Sequence, residues 1–259
     1  MKSLWIRVSL MAVCISFLVA CGGSNTESSK STDSTSHNSL SVMGVDGPMA
    51  GADVDVFDLQ AYLDDAQSAP SLLLSPSITD SDSALAENLA LIESAGSGPF
   101  IVIVSANAST IDLTTGLPPV ISSVSTIIPE LSDNRVYASP LTTLAVTIAS
   151  HGRSVAADVI DELDSARVAT ITHFGFGMNF DIDFFAVPPV LDETTHSAAL
   201  QQQVAEYRTA AEVFATMVEQ LVKAGHFLTH EEAVNAIALD VSDDVIDDVR
   251  VLAEIENVD

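Results

Sequence analysis

The hydrophobic period of this chain changes once, at Ser139-Pro140, and that change constrains the fold more than any other feature. Before it, apolar residues alternate or run continuously, as strands require. In residues 51–57, Ala52, Val54 and Val56 fall on one face and Asp53 and Asp55 on the other. Residues 99–104 form an unbroken apolar run bounded by glycine and asparagine, which reads as a strand buried on both faces. Residues 41–45, 110–113 and 120–128 read as further β-rich stretches, and Asp46-Gly47-Pro48 reads as a turn. Residues 60–98 are less clear, and 84–94 fit a short helix or a strand.

After Ser139 the spacing is helical. Ser139 at N-cap and Pro140 at N1 open a helix whose inner face is Leu141, Leu144, Ala145 and Ile148, with Gly152 ending it. Ser154 opens a second, with Val155, Val159, Leu163, Ala166 and Ile171 inward, which stops at Phe174-Gly175-Phe176-Gly177. The longest helix is expected over 195–224. Its seam of Leu200, Val204, Tyr207, Ala211, Phe214, Val218 and Leu221 is widened by Ala210, Val213 and Met217. Thr229 and Glu232 form a capping box preceded by Leu228. Ser242, followed by Asp243 and Asp244, is expected to cap a last helix that buries Val245, Val249 and Leu252. The fold class is therefore α+β: an N-terminal antiparallel β-sandwich-like module over 41–138 and a C-terminal α-helical bundle over 139–259.

Composition removes several function classes. Thirty-six acidic residues against nine Lys and Arg give a net charge of -27, so no nucleic-acid partner is expected, because phosphate neutralisation needs clustered cations. An apolar content of 47% excludes wholesale disorder. Two cysteines exclude a disulfide scaffold and any cysteine-based zinc site.

The N-terminus has a different character. Lys2 and Arg7 precede an apolar run from Val8 to Ala20. The run is shorter than the roughly 20 residues of a spanning helix and fits a signal peptide. It ends Leu18-Val19-Ala20-Cys21-Gly22, which resembles the lipobox of bacterial lipoproteins. The resemblance implies that residues 1–20 are removed, that the Cys21 thiol receives a diacylglyceryl group and that the new amine is acylated. Several acyl chains together give the stable membrane residence that one alone does not. Gly22, in place of the inner-membrane retention Asp, implies outer-membrane sorting in a Gram-negative cell. Residues 21–40 then read as the lipidated cysteine and a Ser/Thr-rich tether, whose coil spans roughly 20–25 Å. The chain left after cleavage carries -29.

A second resemblance lies just beyond the tether. VMGVDGPMAGADVDVFDL, at 42–59, is similar to the opening of the carboxypeptidase-regulatory-like, or prealbumin-like, β-sandwich. It implies a hairpin closed at Gly51-Ala52, with Val54 and Val56 facing the core. Thr79-Asp80 matches the later turn of that pattern without its usual glycine, with Ser83 nearby. The stretch from Gly98 to Gly116, followed by YASPLTTLA, resembles an arrangement that recurs in bacterial surface lipoproteins, with no activity attached.

Catalytic and metal motifs are absent from the sequence: no Gly-x-Ser-x-Gly, no His-Glu-x-x-His, no EF-hand loop and no phosphate-binding glycine loop. No catalytic residue, cofactor or metal is assigned. Asp181 and Asp183 are candidate Ca²⁺ ligands, since Ca²⁺ takes about six to eight oxygens, although a turn with solvated acids is the favoured reading of the pair. These observations lead to a lipid-anchored, non-catalytic cell-envelope lipoprotein. Its expected partners are the membrane, through its lipid, and an envelope protein or glycan. The alternative is a lipid-anchored hydrolase or metal-assisted enzyme with Asp181, Asp183, His173 and Arg208 converging in a cleft between the two modules.

Overall fold

The computed structural model describes residues 39–92, 96–131, 135–191 and 195–242. Residues 1–20, Cys21, most of the tether, Asp243, Asp244, and the helix expected to bury Val245, Val249 and Leu252 lie outside them. The fold is mixed α+β, with its helices mostly in the C-terminal half.

One sheet has the order β5-β1-β9. Its strands are β1 (Ser39–Gly44), β5 (Leu85–Ala90) and β9 (Arg135–Ala138). The pair β1–β5 is antiparallel, but β1–β9 is parallel, with Val42 opposite Val136. The expectation of a purely antiparallel N-terminal half is therefore corrected. A parallel neighbour needs a long crossover, and here almost the whole β-rich half of the chain separates β1 from β9. The second sheet, β4-β3-β6-β8, is antiparallel throughout. It comprises β4 (Ser77–Ile78), β3 (Asp53–Asp58), β6 (Phe100–Ser105) and β8 (Ser123–Ile128). A two-residue ladder joins β2 (Met49–Ala50) to β7 (Ile111–Asp112).

The alternation in β3 behaves as read, with Val54 and Val56 buried. The apolar run of β6 lies between β3 and β8 with Phe100, Val102 and Val104 fully buried. Residues 85–90 are strand rather than helix, and Ala84 and Asn88 sit at φ +56° and +55°. The left-handed turn residue is thus Ala84, next to Ser83. The 80–83 segment closes on the Asp80 carboxylate, which accepts hydrogen bonds from the amides of Asp82 and Ser83 at 2.9 Å. Gly44 must be glycine, because a Cβ there would lie 2.6 Å from Val104 Cγ1.

Five helices are described. The short α1 (Leu59–Asp64) falls where the sequence pattern was unclear. It starts at Asp58, whose side chain accepts from the Ala61 amide. The first long helix, α2 (Pro140–Ser150), opens with the expected Ser139 cap and is buried on more than the single face read from spacing: Pro140, Thr142, Val146 and Ala149 join the predicted four. A helix apolar nearly all round belongs inside a core, and α2 packs against β8, α3, α4 and α5.

Helix α3 (Ala156–Phe174) departs from expectation at its start. Ser154 is not its cap; Val155 holds that position with no side-chain hydrogen bond, and it is 46% exposed. The cap is supplied from α1. Gln60 Oε1 accepts from the Ala156 amide, and its Nε2 donates to the Ser154 carbonyl, both at 2.9 Å.

Helix α4 (Ala198–Lys223) buries Val204, Tyr207, Ala210, Ala211, Phe214 and Val218. Val213, expected to widen the stripe, is exposed. Helix α5 (His230–Val241) carries the Thr229–Glu232 capping box, but Leu228 is 88% exposed and staples nothing. Ser242 closes α5, donating its hydroxyl to the Leu239 carbonyl at 2.7 Å.

The main hydrophobic cluster runs without a break across Ser139, joining Val42, Val102 and Val124 of the sheets to Leu144, Tyr207 and Phe214 of the helices. Met43, Val45, Leu85 and Tyr137, with Val190 against them, form a separate small cluster.

Candidate functional site

Asp181 and Asp183 lie in the loop after α3. That loop is held by Arg167, whose Nη1 donates to the carbonyls of Phe180 at 2.9 Å and Ile182 at 3.0 Å. The Asp181 amide donates to Asn179 Oδ1, and the Asp183 carboxylate accepts from the Phe185 amide at 3.0 Å. Both side chains are exposed. Among the described residues, no group of three or more His, Cys, Asp or Glu has metal-binding geometry. His173 is half-buried, its ring beside Phe174. Arg208 belongs to another network: it pairs with Glu212, and its Nη2 donates to Thr114 Oγ1 at 3.3 Å. The four groups of the enzymatic alternative are thus engaged in three separate local arrangements.

Arg208 leads to a polar junction that motif reading missed. The Asp46-Gly47 turn is closed by a bridge between Val45 and Pro48. Beside it, Asp112 is 7% exposed and organises the 112–117 turn. Its Oδ1 accepts from the Thr114 amide at 2.7 Å, and its Oδ2 accepts from Thr115 Oγ1 at 2.9 Å. The Leu113 amide donates to the Pro48 carbonyl at 3.0 Å, tying the two turns together. Contact is so close that a Cβ on Gly47 would stand 1.7 Å from Asp112 Oδ1, so only glycine fits.

Asp46 Oδ2 accepts from the Ile121 amide at 2.7 Å, while Oδ1 is buried without a hydrogen-bond partner. Burial pushes this carboxyl up to about 6. The amides of Ile121 and Val120 oppose the rise, the Asp112 charge adds to it, and the Arg208 charge opposes it. In the sequence the only signals were the Asp-Gly-Pro turn and an acid followed by Leu-Thr-Thr-Gly, and neither shows that the two approach each other.

Two clefts flank β5. One, of about 610 Å³, is lined by Met43, Leu85, Glu87, Leu113, Val190 and Leu191 among others. The second, of about 730 Å³, runs along Ile78, Asp80 and Leu85. They share Ser83, Leu85 and Glu87, so they form adjoining surface grooves of mixed polarity. Among the described residues, no helix is long and apolar enough to cross a membrane. No protein-family model, curated protein or solved structure matches the chain.

Proposed function

We propose that this chain is a lipid-anchored, non-catalytic lipoprotein of the bacterial cell envelope, outer-membrane in a Gram-negative cell. Its α+β domain acts as a binding or structural module, held near the membrane by its lipid and facing an envelope protein or glycan. The observation that carries this reading is the junction Leu18-Val19-Ala20-Cys21 after a charged start and an apolar run, with a Ser-rich stretch following. Strong acidity agrees with it: a surface at this charge repels anionic headgroups, which leaves the acyl chains to hold the protein down.

The carboxypeptidase-regulatory-like β-sandwich is part of the same proposal. The hairpin implied at Gly51-Ala52 is not formed, because β2 pairs with β7 while β3 pairs with β4 and β6; what supports the module is the turn at Gly51, where the Thr79 hydroxyl donates to the Met49 carbonyl and accepts from the Ala52 amide. It is also supported by side chains of both sheets sharing one buried cluster.

Metabolic labelling with palmitate in the native host tests the anchor. Wild type should take up label and Cys21→Ser should not. Label retained by the serine variant contradicts the reading.

A further inference from the structure

The loop after α3 displays two aromatic rings that the core does not use. Phe176 is 51% exposed and Phe180 is 55% exposed, whereas the apolar residues that alternate with them, Phe174, Met178, Ile182 and Phe184, all enter the core. Looseness of the loop does not account for this. Arg167 Nη1 holds the carbonyls of Phe180 and Ile182, Glu206 of α4 accepts from the Asn179 amide at 3.3 Å, and the Met178 amide donates to the Gly175 carbonyl at 2.8 Å. Phe176 also sits at φ +46°, in the left-handed region. A bulky side chain is disfavoured there, and glycine takes such a conformation without strain. The backbone therefore explains a glycine at this position better than a phenylalanine, and the ring is accounted for by what it meets outside the chain.

Charge narrows what that is. Asp181 and Asp183 follow the rings in the same loop and are both exposed, and no Lys or Arg occurs between positions 168 and 207. Arg167 is committed to Asp164 and to the loop carbonyls. Phe180 follows Phe176 by four positions, so their Cα atoms are at most about 14 Å apart, and one ligand reaches both. An aromatic face attracts a cation, and a neighbouring carboxylate pairs with the same charge. The same acids repel an anionic bilayer, and in a contact between two copies they would set carboxylates against carboxylates.

We propose that the 175–183 loop is a docking site for a cationic protein segment, one that lays arginine or lysine side chains across Phe176 and Phe180 with their charges toward Asp181 and Asp183. The apolar stems of these side chains cover the rings while their charged heads meet the acids. This names the partner of the binding module proposed above and rests on that reading, but it is independent of Cys21.

The probe is the peptide Arg-Leu-Arg-Leu-Arg, with Glu-Leu-Glu-Leu-Glu as its opposite in charge. Each is titrated by NMR and calorimetry into the full chain carrying Cys21→Ser, so that no acyl chain contributes. The arginine peptide should shift the amide signals of residues 175–185, and the glutamate peptide should leave them in place. Phe176→Ser combined with Phe180→Ser keeps the net charge and should weaken binding of the arginine peptide about tenfold, as the loss of two cation–π contacts requires. Equal binding with and without the two rings overturns the proposal, because overall acidity alone would then attract the peptide. Ring-dependent retention on vesicles of phosphatidylethanolamine and phosphatidylglycerol also overturns it, and makes the loop a membrane contact. If the ring variant does not fold, Asp181→Asn combined with Asp183→Asn carries the same comparison, and an affinity equal to that of the unsubstituted loop overturns the proposal. Failure of the peptide to bind overturns the docking site and leaves the lipid anchor, tested by palmitate labelling, untouched.

Discussion

The hydroxyl of Tyr207 on α4 lies 2.7 Å from the hydroxyl of Ser139, and both side chains are fully buried. Ser139 also caps α2, accepting from the Thr142 amide at 3.2 Å. One serine therefore ends β9, starts the central helix and ties both to the longest helix. Burial pushes the Tyr207 hydroxyl well above its ordinary range, and the charge of Asp183 pushes the same way. The hydroxyl therefore stays protonated and available as a donor. Tyr207→Phe should cost about 1 kcal/mol, the net worth of one such hydrogen bond. Ser139→Ala should cost more, about 2–4 kcal/mol, because it removes the cap and orphans a buried hydroxyl. Urea unfolding of both variants measures the difference, and equal costs would contradict it.

The cap of α3 gives a sharper contrast. Gln60 holds the Ala156 amide and the Ser154 carbonyl, whereas the Ser154 side chain takes no part in the cap. Gln60→Ala should cost about 1 kcal/mol, as loss of a helix cap does. Ser154→Ala should stay within about 0.5 kcal/mol, as surface changes do. The reverse order in thermal or urea unfolding would restore Ser154 as the cap.

Ser154 also shows what the sequence could and could not disclose. Local patterns carried through: the Ser139-Pro140 start, the Thr229–Glu232 box and the alternation in β3 each rest on neighbours within a few residues. Features built by distant residues did not. The Gln60 cap reaches across more than ninety positions, the parallel β1–β9 pairing joins the two ends of the β-rich half, and the approach of Asp112 to Gly47 depends on how two turns dock. Leu228, before a capping box, and Val213, where the α4 stripe was expected to widen, are apolar yet face solvent. Period alone sets a stripe, and the width of the neighbouring elements decides how much of that stripe is covered. For the same reason the Asp46 junction had no motif: its chemistry comes from burial.

The α4 seam is buried within its own chain at Phe214, which is fully inaccessible and meets Phe174 edge-on at 5.2 Å. Phe214→Ala should cost roughly 3–5 kcal/mol, the range for emptying a buried aromatic site. The wild-type melting temperature should not depend on protein concentration. Concentration-dependent melting would point instead to a seam shared between two chains.

A lipid anchor at Cys21 is read directly by mass spectrometry of the N-terminal peptide isolated from envelopes of the native host. The peptide should begin at Cys21 and carry a diacylglyceryl group on sulfur and an acyl group on nitrogen. A mature protein that retains residues 1–20, or one that begins at or beyond an unmodified Cys21, would contradict the anchor.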